Sequence, residues 1–108
     1  MNAARIVLVT APEMDCASRL ARGLVEARLV ACVNLIAGVR SVYRWEGAVE
    51  EAEEVLMVIK TVEERVPELE RWLGEQHPYD VPEIVAIEPT SVEASYLAWL
   101  RAEAAPQD

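Results

Sequence analysis

An α+β domain with the element order β-α-β-β-α-β is the fold this sequence predicts, and three observations carry the prediction. Apolar residues recur at every second position along a long central stretch, Ala31 to Trp45, which Glu46-Gly47 joins to a return stretch, Ala48 to Lys60. Segments of helical spacing separate that hairpin from short β-rich runs on either side, Ile6 to Thr10 and Ile84 to Ile87. A length of 108 residues, 53% apolar and 27% charged, supplies the core of one domain spanning residues 1–108.

Ile6-Val7-Leu8-Val9-Thr10 is apolar on both faces, as in a strand covered on both sides, and Ala11-Pro12 ends it. From Glu13 to Arg28, Ala17, Leu20, Leu24 and Ala27 form an apolar stripe. Pro12, Glu13 and Asp15 suit the helix N-terminus, and Arg28 its C-terminus. In the central stretch the odd positions, Val33 through Trp45, predict one buried face, and Gly38 is a candidate bulge. Its return partner is acidic at first (Glu50, Glu51, Glu53, Glu54) and then wholly apolar from Val55 to Ile59, so one end is solvated and the other central. Thr61-Val62-Glu63-Glu64 has the form of a capping box, and Val66, Leu69 and Leu73 continue a helix that His77-Pro78 must stop. Pro67 delays its regular part to about Val66. A fourth strand ends at Pro89, Ser91 caps a short final helix bearing Tyr96, Trp99 and Leu100, and the tail from Ala104 to Asp108 frays. These elements make a split-βαβ, ferredoxin-like arrangement: a four-stranded antiparallel sheet with two helices on one face, plus a C-terminal helix.

Charge narrows the function. Ten basic against nineteen acidic residues give −9, which excludes a phosphate-tracking nucleic-acid binder and disfavours an anionic membrane surface. No apolar run approaches the roughly 20 residues that span a bilayer. The first residues, Met1 to Arg5, lack signal-peptide features, and Cys16 and Cys32 suit a reducing cytoplasm better than a disulfide framework.

The hairpin is too long for the domain. A 14-residue strand spans about 46 Å, against roughly 34 Å for the diameter of a globule this size. The outer strands pair with only part of it, and the remainder exposes backbone edges beside Tyr43 and Trp45. Strand pairing with further copies of the chain, closed by symmetry, satisfies those edges and predicts an obligate homo-oligomer.

His77-Pro78-Tyr79-Asp80-Val81-Pro82-Glu83 is the most distinctive stretch, because two prolines hold His77, Tyr79 and Glu83 at fixed angles. An imidazole with nearby oxygen ligands can hold copper or zinc, whereas a histidine ending a helix also serves its last carbonyls. The acidic segment Glu46 to Glu54 lacks the spacing of a calcium loop and reads as a solvated hairpin end. Lys60, the single lysine, reads either as an anion-binding or Schiff-base residue or, more simply, as a snorkelling strand end. No Cys-x-x-Cys, His-Glu-x-x-His, Gly-x-Ser-x-Gly or phosphate-binding glycine loop is present, so the expectation is a protein that is not an enzyme.

Several motifs in register point further: Thr10-Ala11-Pro12, Ala31-Cys32-Val33-Asn34, Ser41-Val42-Tyr43-Arg44-Trp45-Glu46-Gly47, Glu54 through Thr61, His77-Pro78-Tyr79 with Pro82-Glu83, and Tyr96-Leu97-Ala98-Trp99-Leu100. Together, from Ile6 to Arg101, they closely resemble the CutA family of divalent-cation tolerance proteins. The resemblance implies a ferredoxin-like subunit, a cytoplasmic homotrimer, and a response to copper and other divalent metal ions through weak metal binding, with no obligatory cofactor. Some bacterial members carry a Cys before Thr-Ala-Pro and a second His before His-Pro-Tyr. Val9 and Gln76 stand there in this chain, so His77 is the member of that metal constellation present. Family members also look like PII-type trimers, which implies an alternative: a signalling or small-ligand module whose inter-subunit cleft is lined by Asn34, Tyr43, Trp45, Lys60, His77, Tyr79 and Glu83.

Overall fold

A computed structural model of the chain describes residues 3–106, and Met1, Asn2, Gln107 and Asp108, with the expectations placed on them, lie outside the described residues. The elements are β1 (Ala4–Ala11), α1 (Met14–Glu26), β2 (Cys32–Trp45), β3 (Ala48–Val62), α2 (Val66–Gln76), β4 (Val85–Ile87) and α3 (Ala94–Glu103). They form one four-stranded antiparallel sheet in the order β2-β3-β1-β4, the expected ferredoxin-like topology. Val7, Val9 and Ala11 register with Ile59, Met57 and Val55, so these six side chains share one face. Ala17, Leu20 and Leu24 of α1, with Leu69 and Leu73 of α2, bury that face and make the main core.

α1 begins as its acids require: the Glu13 carboxylate accepts from the backbone N–H of Cys16 at 2.9 Å and of Asp15 at 3.0 Å. Its end differs from expectation. The helix stops at Glu26, and Arg28 lies beyond it in the left-handed region at φ 58°. The Arg28 guanidinium donates instead to the carbonyls of Ala102 (2.7 Å) and Ala105 (3.0 Å), ending α3. That contact, with Ala104 fully buried beside Leu100, Ala4 and Val62, ties down the start of the tail expected to fray.

Two predicted caps are also corrected. Thr61 is fully buried and still in β3, because β1 reaches far enough for Arg5 to pair with it, and its hydroxyl donates to the Leu29 carbonyl at 2.7 Å. A 3-10 turn, Glu63–Arg65, precedes α2, whose cap makes no side-chain bond. At α3 the cap is Glu93 and not Ser91: its carboxylate accepts from the N–H groups of Ser95 (2.9 Å) and Tyr96 (3.0 Å), and those bonds hold its pKa below the usual carboxylate value.

Gly23 packs α1 against α2. A Cβ there would lie 2.7 Å from the Trp72 ring, so Gly23→Ala is expected to destabilise by about 1–3 kcal/mol, read from the urea midpoint. Restoring the midpoint by adding Trp72→Leu checks that the ring is the cause.

The hairpin is where sequence periodicity and structure part. Its turn, Glu46-Gly47, has positive φ at both residues (49° and 82°), as a two-residue turn closing Trp45 on Ala48 requires. Gly38, at φ 79°, lies in a bulge that sets Ile36-to-Val39 opposite Leu56-to-Glu54. One extra residue reverses the parity. Before the bulge Val33 and Leu35 oppose Ile59 and Met57 on the helix face; after it Ser41, Tyr43 and Trp45 oppose Ala52, Glu50 and Ala48 on the other face. The odd-numbered stripe expected to line one buried face thus changes sides.

Pairing of β1 with β3 ends at Ala11 and Val55, so the hairpin beyond it projects alone and stretches the molecule to 44 × 28 × 22 Å. Neither helix of the main core covers the second sheet face. Ile6, Leu8, Leu56, Val58, Ile36, Val85 and Ile87 share it by register, the last two exposed at 48% and 43%. α3 covers only the Ala4–Val62 end.

Candidate functional site

The connection from α2 to β4 builds the site. α2 stops at Gln76 because His77 precedes proline and takes an extended conformation, φ −76° and ψ 140°. The His77 ring is buried, and both of its nitrogens are engaged within the chain. Nδ1 accepts the backbone N–H of Tyr79 at 3.1 Å, so the ring proton sits on Nε2 and is donated to the Thr10 carbonyl at 2.8 Å. His77 therefore clamps the loop to the end of β1, and in this geometry its ring offers no lone pair to a metal ion.

Tyr79 carries the chain of contacts onward. Its ring lies 4.8 Å from the His77 ring, and its hydroxyl donates to Glu54 Oε2 at 2.7 Å. Burial, the hydrogen bond to Glu54 and the charge of that carboxylate all push the phenol pKa well above its usual value near 10. Because the folded-state value is the higher one, the corresponding stability is complete below about pH 10 and is lost as pH rises beyond it. The urea midpoint of the wild type is expected to fall more steeply than that of Tyr79→Phe between about pH 9 and about pH 11. Parallel profiles would remove Tyr79 from that account.

In front of this clamp lies a cleft of about 600 Å³, on the side of the sheet that the hairpin enters after its bulge. Four of the expected residues line it: Tyr43, Trp45, Tyr79 and Glu83. Thr10, Ser41, Val42, Glu54, Asp80 and Val81 complete the wall; they fall within motifs quoted above but were not expected to line a cleft. Glu54 is the most informative of these. At 8% exposure it is the buried member of an acidic segment expected to be solvated, standing just before the apolar run Val55-Leu56-Met57-Val58-Ile59. That boundary position was the available signal.

Asn34 and Lys60 stand apart from the cleft. The Lys60 ammonium donates to the Asn34 side-chain carbonyl, six residues along β3 from Glu54, which is about 20 Å. Among the described residues no group of three or more His, Cys, Asp or Glu side chains is arranged to hold a metal ion. Both cysteines are free, Cys16 buried and Cys32 partly so. No helix among the described residues is long and apolar enough to cross a membrane.

Residues 5–103 match the family described as CutA1 divalent ion tolerance protein. The chain is 45% identical over 96 residues to the divalent-cation tolerance protein CutA of Thermus thermophilus, covering 89% of this chain and 93% of that protein. It is 40% identical to the chloroplastic protein CutA of Arabidopsis thaliana, with 89% and 53% of the two chains covered. The crystal structure of CutA from Xylella fastidiosa superposes with a TM-score of 0.93 at 33% identity, covering 96% of this chain and all of that one. Matching nearly end to end in sequence and in fold, the chain belongs to the CutA1 family of divalent ion tolerance proteins.

Proposed function

We propose that the protein acts as a closed homotrimer in the cytoplasm, without catalytic activity, and contributes to tolerance of copper and other divalent cations by binding them weakly. The observation that carries the assembly is the uncovered sheet face, continuous with a hairpin that outruns its neighbouring strands. A monomer exposing Ile36, Val85 and Ile87 beside unpaired strand edges is an aggregation hazard, and symmetric closure removes both liabilities at once. Support for the cation role comes from the names of the relatives and from the charge of −9 per chain, which a trimer triples. Glu50, Glu51 and Glu53, exposed on the hairpin, then supply diffuse cation attraction, with His77 holding the loop behind them.

Light scattering at micromolar concentration tests the assembly, and the mass of a single chain would overturn it. Calorimetric titration of Cu²⁺ into the wild type and His77→Gln tests the metal account. Weak, salt-sensitive binding that is equal in both is expected. Loss of binding in His77→Gln would return His77 to a metal site.

The cleft favours a second reading, a PII-like module that binds a small ligand where subunits meet. Its volume falls within the range of ordinary ligand sites, and it has aromatic walls and few polar groups at fixed positions. A thermal-shift screen of metabolites tests it, and a uniformly flat response counts against it.

A further inference from the structure

The ligand-binding reading leaves the occupant's chemistry open, and the cleft wall narrows it. Glu54 is 8% exposed, its hydrogen-bond partner is the neutral Tyr79 hydroxyl, and none of the ion pairs among the described residues includes it. A buried carboxylate without a cation is costly to keep charged, and a cation brought beside it recovers that cost. Asp80 and Glu83 add two carboxylates to the same wall, and among the described residues no lysine or arginine lines it. Tyr43 and Trp45 present aromatic rings from alternate positions of one strand, both about half exposed (44% and 48%). Rings with a negative π-face beside carboxylates suit a positive guest. The carboxylates do not converge as a metal ion needs, since no three such groups among the described residues form a ligand set.

Resting on the reading that this cleft takes a small ligand, we propose that the ligand is an organic cation: an ammonium or guanidinium group set against Glu54, with its carbon skeleton against Tyr43 and Trp45. The buried end of the cleft selects charge through Glu54, and the hairpin end selects apolar surface through the rings. An inorganic divalent ion satisfies only the first of these conditions.

The test uses the full-length protein and three probes of one shape: benzylamine (cationic at neutral pH), benzyl alcohol (neutral) and benzoate (anionic). NMR signals of Tyr43 and Trp45 report occupancy. Benzylamine is expected to shift them saturably, with benzoate silent and the alcohol about tenfold weaker. Glu54→Gln keeps an acceptor for Tyr79 and is expected to weaken benzylamine about tenfold while sparing the alcohol. Trp45→Leu, at the exposed end, is expected to weaken both the amine and the alcohol, and it keeps the test available if Glu54→Gln misfolds. Equal binding of alcohol and amine, or amine binding indifferent to Glu54→Gln, overturns the inference and leaves a ligand cleft standing. Silence of all three probes, as when a second copy fills the cleft, overturns both. Displacement of benzylamine by lower concentrations of Mg²⁺ or Zn²⁺ overturns it in favour of a metal.

Discussion

Replacing His77 with alanine should destabilise the protein by about 3 kcal/mol, a large effect for one polar side chain. Two groups lose their partners together: the buried Thr10 carbonyl at the end of β1 and the partly buried Tyr79 N–H in the loop. Each unsatisfied group costs about 1–3 kcal/mol, and the vacated ring volume adds a cavity. The loop should then detach from β1, and amide exchange at Tyr79 should quicken along with the fall in urea midpoint. His77→Gln can remake one of the two bonds and should recover part of the loss. A midpoint within experimental error of the wild type would show that the clamp is dispensable.

Leu8→Arg should reduce the mass in solution threefold. Leu8 lies on the open sheet face between Val58 of β3 and Val85 of β4, so an arginine there points into the surface through which copies are proposed to meet. Burying an unpaired guanidinium group from each copy in the proposed interface costs several kcal/mol each, more than such an interface can offset. The isolated subunit leaves this side chain partly exposed, so the arginine need not disturb the core beneath the helices. Analytical ultracentrifugation should show a single-chain species, and the unfolding midpoint of the wild type alone should rise with protein concentration. An unchanged mass for Leu8→Arg would mean that this face is not the interface.

The strand and helix order was legible because the periods of two and 3.6 are each sustained for several turns or pleats, and because prolines punctuate them. His77-Pro78 located the end of α2 to within a residue for a local steric reason. What the sequence withheld depends on partners distant along the chain. Thr61 has the composition of a cap, yet the extension of β1 to Ala4 holds it in a strand and gives its hydroxyl to Leu29. Gly38 was recognisable as a bulge, but its consequence, the transfer of Tyr43 and Trp45 to the opposite face, requires the register with β3. That transfer brings them to Glu54 and the loop, so four of the ten lining residues were expected in a cleft while Glu54, hidden among exposed acids, was not. Lys60 shares a motif block with Glu54, but strand length separates it, and Asn34 beside it, from the cleft of the same chain.

The grip of Arg28 on the carbonyls of Ala102 and Ala105 has a consequence for synthesis on the ribosome. The residues it holds lie 74 and 77 positions downstream, so they are translated well after the strands and helices of the main core. Until β4 emerges the outer edge of β1 stays open, and until α3 follows it the Ala4–Val62 end of the sheet has no cover. The nascent chain can therefore complete its helix-covered layer early, but it must pass through an interval with an open strand edge and a bare apolar surface. Native closure of that end of the sheet, and with it any association of copies, is thereby coupled to the emergence of α3.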